Sequence, residues 1–206
     1  MGPRGWCRGR VFHRDRVLAG GVSRFIESRM AVANHSHTKP LIVYKSVHHQ
    51  NTARIARVMA DVLGAECGSP HECPYEKLAT CQILGLGSGI YYGRVHDELW
   101  QWVRDMPVTS MRNLNVFLFT TSGLPVLTKV WHWPLKSALM KKGYGVMAEF
   151  SCRGFDTWGP LWLTGGLNKR HPDERDIQLA RVFATRLNRA NESHIERPSR
   201  EHHHRT

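Results

Sequence analysis

Apolar residues along this chain fall into short unbroken runs, separated by stretches in which they recur every three or four positions. Leu41-Ile-Val-Tyr44 is one such run, without polar alternation, and reads as a parallel strand buried on both faces. From Thr52 the positions Ala53, Ile55, Ala56, Val58, Met59, Val62 and Leu63 share one broad helical face, and Gly64 stops the helix. A short, weak strand is expected near Ala65–Cys67 and a strong one over Cys81–Leu86. The next helix has Leu99, Trp100, Trp102 and Val103 on its apolar side and closes before Pro107. Asn115–Thr120 is a third clear strand, Leu135–Lys142 a helix ending at Gly143, and Tyr144–Phe150 a further strand. A last helix is expected from Asp173 to Leu187, with Pro172 at its start and Asp173 and Glu174 at the positive end of its dipole.

Strand and helix in regular alternation, with crossovers long enough for helices, predict a mostly parallel sheet with helices on both faces. In such sheets ligands bind beyond the carboxyl ends of the strands, so the loops there carry the functional information. The first is Ser46-Val-His-His-Gln-Asn-Thr52, running straight into a helix. Unpaired amides and the positive dipole end make an anion site there, to which the hydroxyls of Ser46 and Thr52 add donors; the alternative is that Asn51 or Thr52 only caps the helix. Neither the Gly-Lys-Ser nucleotide loop nor a Gly-x-Gly-x-x-Gly dinucleotide turn is present. The second loop, Gly87-Ser-Gly-Ile-Tyr-Tyr-Gly93, combines glycines that permit close approach with the flat faces of Tyr91 and Tyr92, and suits a planar ring system. Thr121-Ser122-Gly123 and Ser151-Cys-Arg-Gly-Phe-Asp-Thr-Trp-Gly-Pro160 complete the edge.

Composition narrows the class. The chain has 206 residues, 41% of them hydrophobic, which suits one domain with tails and excludes a disordered protein. No apolar run is long enough to span a bilayer. Five cysteines, at positions 7, 67, 73, 81 and 152, are odd in number and contain no Cys-x-x-Cys pair, which argues against a disulfide framework or zinc module and for a reducing, cytoplasmic setting. The net charge of +12 invites a nucleic-acid reading, but it is dispersed. Residues 1–37 carry seven Arg against Asp15 and Glu27, residues 38–187 carry 18 basic against 12 acidic, and residues 188–206 carry four against three. With no recognition motif, a nucleic-acid partner is not expected. Residues 1–37 are read as a disordered extension, with Met30 as an alternative start, 38–187 as the domain, and 188–206 as a polar tail whose terminal histidines are solvated.

Taken in series, Leu41–Thr52, Gly87–Gly93, Thr120-Thr-Ser-Gly123, Glu149–Pro160 and Gly165-Gly-Leu-Asn-Lys169 resemble the short, single-domain flavodoxin family proteins of prokaryotes over residues 39–187. The resemblance implies a three-layer α/β sandwich, with a five-stranded parallel sheet of order 2-1-3-4-5, bound FMN and electron transfer. By that likeness Ser46, His48, Gln50, Asn51 and Thr52 hold the FMN phosphate, and Ser88, Gly89, Ile90, Tyr91, Tyr92 and Gly93 lie along the ring, with Thr121, Ser122 and Gly123 on the third loop. Two departures stand out. The family usually has Gly before Asn-Thr where this chain has Gln50, which at positive φ costs about 1 kcal/mol or more and would weaken phosphate binding. Electron-shuttling flavodoxins are also generally acidic, whereas this domain is basic, which speaks against a plain shuttle.

No catalytic triad or metal cluster is visible, and a flavin would carry the chemistry. Trp158 would add stacking, and Arg94 and Arg153 would favour the reduced anionic ring. Cys152 reads as quiet despite neighbouring Arg153. Asn168 and Lys169 shape their loop, and Trp100, Trp102, Trp131 and Trp133 read as core or surface anchors. Three roles stay open: an FMN electron carrier for a redox partner protein or a small organic acceptor, as monomer or homodimer; a flavodoxin-type enzyme such as a quinone reductase or protoporphyrinogen dehydrogenase; and a binding or regulatory protein that has lost flavin through Gln50.

Overall fold

The structure is a computed structural model and describes residues 39–47, 49–108, 114–155 and 168–195. The expected extension over residues 1–37 and the end of the polar tail lie outside these residues, as do His48 and Trp158. In chain order the elements are β1 (Leu41–Lys45), α1 (Asn51–Leu63), β2 (Glu66–Gly68), β3 (Ile83–Tyr91), β4 (Arg94–Val95), α2 (Asp97–Asp105), β5 (Asn115–Ser122), α3 (Thr128–Lys141), β6 (Gly145–Arg153) and α4 (Glu174–Ile195), with short 3-10 turns at Pro70–Glu72, Tyr75–Thr80 and Pro125–Leu127. The sheet runs β2-β1-β3-β5-β6, all parallel, with β4 folded back antiparallel on β3. Counting only the parallel strands, this is the order 2-1-3-4-5.

Two cores flank the sheet. On one side Leu41, Val43, Leu84, Leu86, Val116 and Leu118 meet α2 and α3 through Leu99, Trp102, Val103, Leu135 and Leu139. On the other Ile42, Phe117 and Phe119 meet α1 and α4 through Ile55, Met59, Ala180 and Ala184. Trp102 is buried and donates its Nε1–H to the Cys73 carbonyl, whereas Trp133 is exposed, so both anchor roles occur.

Bounds shift by one or two residues at several elements, and by more at four others. β3 continues to Tyr91 because its last residues pair with β5 as far as Gly89 and with β4 through Ile90 and Tyr91. α3 begins a full two turns before Leu135, carrying Pro134 inside it; the missing N–H forfeits one hydrogen bond on an exposed face, and burial of His132, Leu135 and Leu139 keeps the helix continuous. β6 runs on to Arg153, paired with β5 throughout. α4 continues past Leu187 to Ile195, and Asn191 accepts a hydrogen bond from Asn115 Nδ2. Among the described residues no helix is long and apolar enough to cross a membrane.

Candidate functional site

The carboxyl ends of β1, β3, β5 and β6 are tied into one edge by cross-links that begin at the N-terminus of α1. Thr52 is buried, its hydroxyl 2.8 Å from that of Thr121 at the end of β5. Asn51 donates from Nδ2 to the Phe155 carbonyl beyond β6, and the Gly154 amide donates to the Ser122 carbonyl. A Cβ at Gly154 would stand 3.0 Å from Asn51 Nδ2, so a side chain there would press on the Asn51 amide. On the other flank the Val47 amide donates to the Tyr91 hydroxyl, joining the first loop to β3. Asn168, at φ +59°, donates from Nδ2 to the Gly123 carbonyl and so ties the segment before α4 to the third loop, while Lys169 is exposed.

At the centre of this edge is the first turn of α1. Its opening amides, those of Asn51, Thr52 and Ala53, have no carbonyl one turn earlier within the helix, and the Arg54 amide is the first to reach back, to Gln50. The helix has no side-chain cap. Gln50 sits in the left-handed region at φ 55°, ψ 23°, and His49 precedes it at φ 53° with its ring 4.2 Å from that of Phe155. Both are exposed. The Ser46 hydroxyl, by contrast, is buried without a hydrogen-bond partner among the described residues, as is that of Ser122. The side chains of Asn51 and Thr52, expected to hold a phosphate, are already engaged with Phe155 and Thr121. What they present to a ligand is their amides.

The second loop differs most from expectation. Two of its three glycines face filled space. A Cβ at Gly87 would lie 2.0 Å from the buried ring of Phe119, and one at Gly89 would lie 2.6 Å from the Tyr91 hydroxyl, whereas one at Gly93 would meet nothing within 4 Å. Tyr92 and Gly93, at φ 52° and 76°, are the central pair of a two-residue hairpin turn, where both residues need positive φ. Ser88 is fully buried, donates to the Gly89 carbonyl and accepts from the His96 amide, and so closes the hairpin. Ile90 is half-buried, and Tyr91 meets His96 edge-on at 5.4 Å. Of this segment, Tyr92 presents its ring to solvent.

Behind the edge lies a hydrogen-bonded chain that the sequence reading missed. His132 on α3 is buried; its Nε2 is 3.0 Å from Thr120 Oγ1 and its Nδ1 is 3.0 Å from Glu149, which Lys136 also holds at 2.6 Å. Thr120 Oγ1 is in turn 3.1 Å from Ser151 Oγ. Burial lowers the pKa of His132, although its hydrogen bond to Glu149 opposes the shift. Glu149 is lowered too: burial works against ionisation, and the hydrogen bonds from Lys136 and His132 outweigh it. Thr120 has one proton for two neighbours, so the neutral imidazole accepts it and a protonated one redirects it to Ser151. The sequence signal is slight: a His three residues before Leu135, on the face of α3 that turns out to be buried, and polar Thr120, Glu149 and Ser151 within otherwise apolar strands. Cys152 is buried and its thiol pKa is pushed up by burial, in keeping with a quiet role.

No known protein-family profile matches the chain. An uncharacterized protein of Methanocaldococcus jannaschii is 39% identical over 146 residues, 71% of this chain and 95% of that protein. Among solved structures, a flavodoxin from the domain Archaea superposes with a TM-score of 0.54 at 14% identity, covering 75% of this chain and 99% of its own. Flavodoxin 2 from Bacillus cereus gives 0.56 at 18% identity, covering 75% and 99%. The chain belongs to one family with the Methanocaldococcus jannaschii protein and has the single-domain flavodoxin-like fold. The same fold forms part of a longer chain in the rubredoxin oxygen:oxidoreductase of Desulfovibrio gigas, with a TM-score of 0.60, 16% identity and coverage of 85% of this flavodoxin-like protein but 41% of that one.

Proposed function

We propose that this flavodoxin-like protein binds FMN at the carboxyl edge of its sheet and passes electrons to a partner. The observation that carries the reading is the Ser46 hydroxyl, buried without a hydrogen-bond partner among the described residues, in the loop that leads into α1, whose first amides have no carbonyl one turn earlier. A phosphate satisfies both: the amides and the helix dipole bind the anion, and Ser46 donates to it. The residues fit the group, with Ser46 and the amides of Asn51 and Thr52 at the phosphate, and His48 and Gln50 contributing from the same loop. Tyr92, with the backbone of Gly89, Ile90 and Gly93, would border the ring on one side, and Thr121, Ser122 and Gly123 on the other. Bound FMN supplies one- and two-electron redox chemistry. The protein's part is to hold the phosphate, exclude water from one ring face and set the charge around it, which here is positive at Arg94 and Arg153.

The test is a titration of the purified protein with FMN and with riboflavin, followed by flavin absorbance and fluorescence quenching. Saturable binding of FMN, weaker binding of riboflavin, and an approximately tenfold loss for FMN alone in Ser46→Ala are expected. Equal affinity for the two flavins, or no binding of either, would refute the phosphate site.

A further inference from the structure

Helix α3 buries one face against the sheet through His132, Leu135 and Leu139 and turns the other outward. That outer face is apolar. Val126, Val130, Trp133 and Met140 are 83%, 66%, 66% and 60% exposed, and their spacing of four, three and seven places them on one stripe. Leu124 and Leu127, also exposed, extend the stripe into the loop after β5. At 1.5 Å per residue it runs for about 20 Å. A lone exposed Leu needs no explanation, but a row of large apolar side chains, broken only at Ser137, does.

Charge says what covers it. Between Asp105 and Glu149 the chain carries Arg112, Lys129, Lys136, Lys141 and Lys142 and not one carboxylate. Lys136 is tied to Glu149 and Lys142 to the Met106 carbonyl, while Lys129 and Lys141 are exposed beside the stripe. At its loop end the hydrogen bonds of Gly154 to Ser122 and of Asn168 to Gly123 bring exposed Arg153, Lys169 and Arg170 alongside. A second copy would set these cations against their own images with no carboxylate from residues 106–148 to offset them. The chain's own first 37 residues, seven Arg against two acids, carry charge of the same sign and offer no complement to it. The stripe also starts two residues beyond Ser122, at the edge where FMN is proposed to sit. We propose that the outer face of α3 and the loop before it dock an acidic electron-transfer protein, one whose contact surface is apolar at its centre and ringed with carboxylates. The electron-transfer part rests on the proposed FMN site; the docking itself does not.

The probe is an acidic plant-type [2Fe–2S] ferredoxin, titrated by calorimetry into the full chain without flavin. Saturable binding is expected at about 0.01 M salt and its loss by about 1 M, as the screening length falls from about 30 Å to about 3 Å. Val130→Asp/Trp133→Asp and Lys129→Glu/Lys141→Glu should each weaken binding at least tenfold, while circular dichroism, melting and FMN titration stay at the wild-type values because these side chains are exposed. Failure of FMN titration with ferredoxin binding intact would remove the flavin reading and leave the docking surface. The docking proposal is overturned by an absence of saturable heat at low salt, by wild-type affinity in either double variant, by self-association that Val130→Asp/Trp133→Asp abolishes, or by phosphatidylserine vesicles that bind the same face and displace the ferredoxin.

Discussion

Gln50→Gly is the sharpest perturbation this structure offers, because the residue's side chain does nothing to offset its backbone. Gln50 is exposed, makes no capping hydrogen bond, and lies at φ 55°, ψ 23°. A side chain in the left-handed region costs about 1–2 kcal/mol, and glycine returns about 0.5–1 kcal/mol of that through its greater freedom in the unfolded chain. The variant should therefore be more stable by about 0.5–1 kcal/mol, which in a domain of this size raises Tm by about 1–4 °C. Gln50→Ala keeps the Cβ and should give no rise. The loop holds its left-handed turn before any ligand arrives, so the strain is present in the free and the loaded protein alike and cancels from the binding equilibrium. FMN affinity should then stay within about twofold of wild type, a change worth less than about 0.5 kcal/mol. This moves the cost of Gln50 from affinity, where the family resemblance suggested it, to fold stability. Differential scanning calorimetry of the three proteins is the assay; an equal rise in Gln50→Ala, or a lower Tm in Gln50→Gly, would refute the strain argument.

Further expectations follow from packing and charge. Gly87→Ala drives a Cβ to 2.0 Å from the Phe119 ring and should destabilise the domain by about 2–3 kcal/mol, seen as a lower urea midpoint at unchanged slope; wild-type stability would mean Phe119 has another place to go. Burial lowers the pKa of His132 from the usual 6.5, so the unfolded chain takes up the proton first as pH falls. Stability is full above pH 6.5 and declines below it, until the folded pKa is passed, and His132→Gln should flatten that decline in urea midpoints between pH 7.5 and 5, with the remainder due to His96, which burial shifts the same way. Ser88→Ala removes the acceptor of the His96 amide and should cost about 1–2 kcal/mol while leaving FMN affinity intact; a large affinity loss would put Ser88 at the ring after all. With Cys7 replaced by Ser, a thiol-disulfide reagent should find Cys67 fast, whereas Cys73 and Cys81, buried with thiol pKa values pushed up to about 11, and Cys152 should wait for unfolding.

The fold was legible where one physical signal acted alone. Leu41–Tyr44 and Val116–Phe119 are apolar on every residue, which only a strand covered on both faces tolerates, and the stripe from Ala53 to Leu63 has one period. Signals in conflict misled. Pro134 argues against a helix locally, yet the loss is one hydrogen bond on the solvent side, and the buried face of α3 outweighs it. Beyond Leu187 the composition is that of a tail, but an already nucleated helix adds residues cheaply, and Asn115 gives Asn191 a partner.

The site was half legible for a related reason: backbone chemistry shows in sequence, whereas occupancy of space does not. An extended run leading directly into an amphipathic helix, with polar residues between, specifies an open helix N-terminus whatever the side chains do. The glycines of Gly87–Gly93 specify only vacancies. Nothing local says that the Phe119 ring fills one from the neighbouring strand and the Tyr91 hydroxyl another. The same reasoning recasts the basic charge, which counted over the whole chain looked dispersed. Its informative feature is where acid is missing: the carboxylate-free stretch from Asp105 to Glu149 contains the whole outer face of α3, and that face is also where the apolar side chains stay exposed. A surface that is apolar in the middle and positive at its margins selects a partner of the opposite pattern. A domain that departs from the acidity of shuttle flavodoxins need not abandon electron transfer. It needs the charge of its partner reversed.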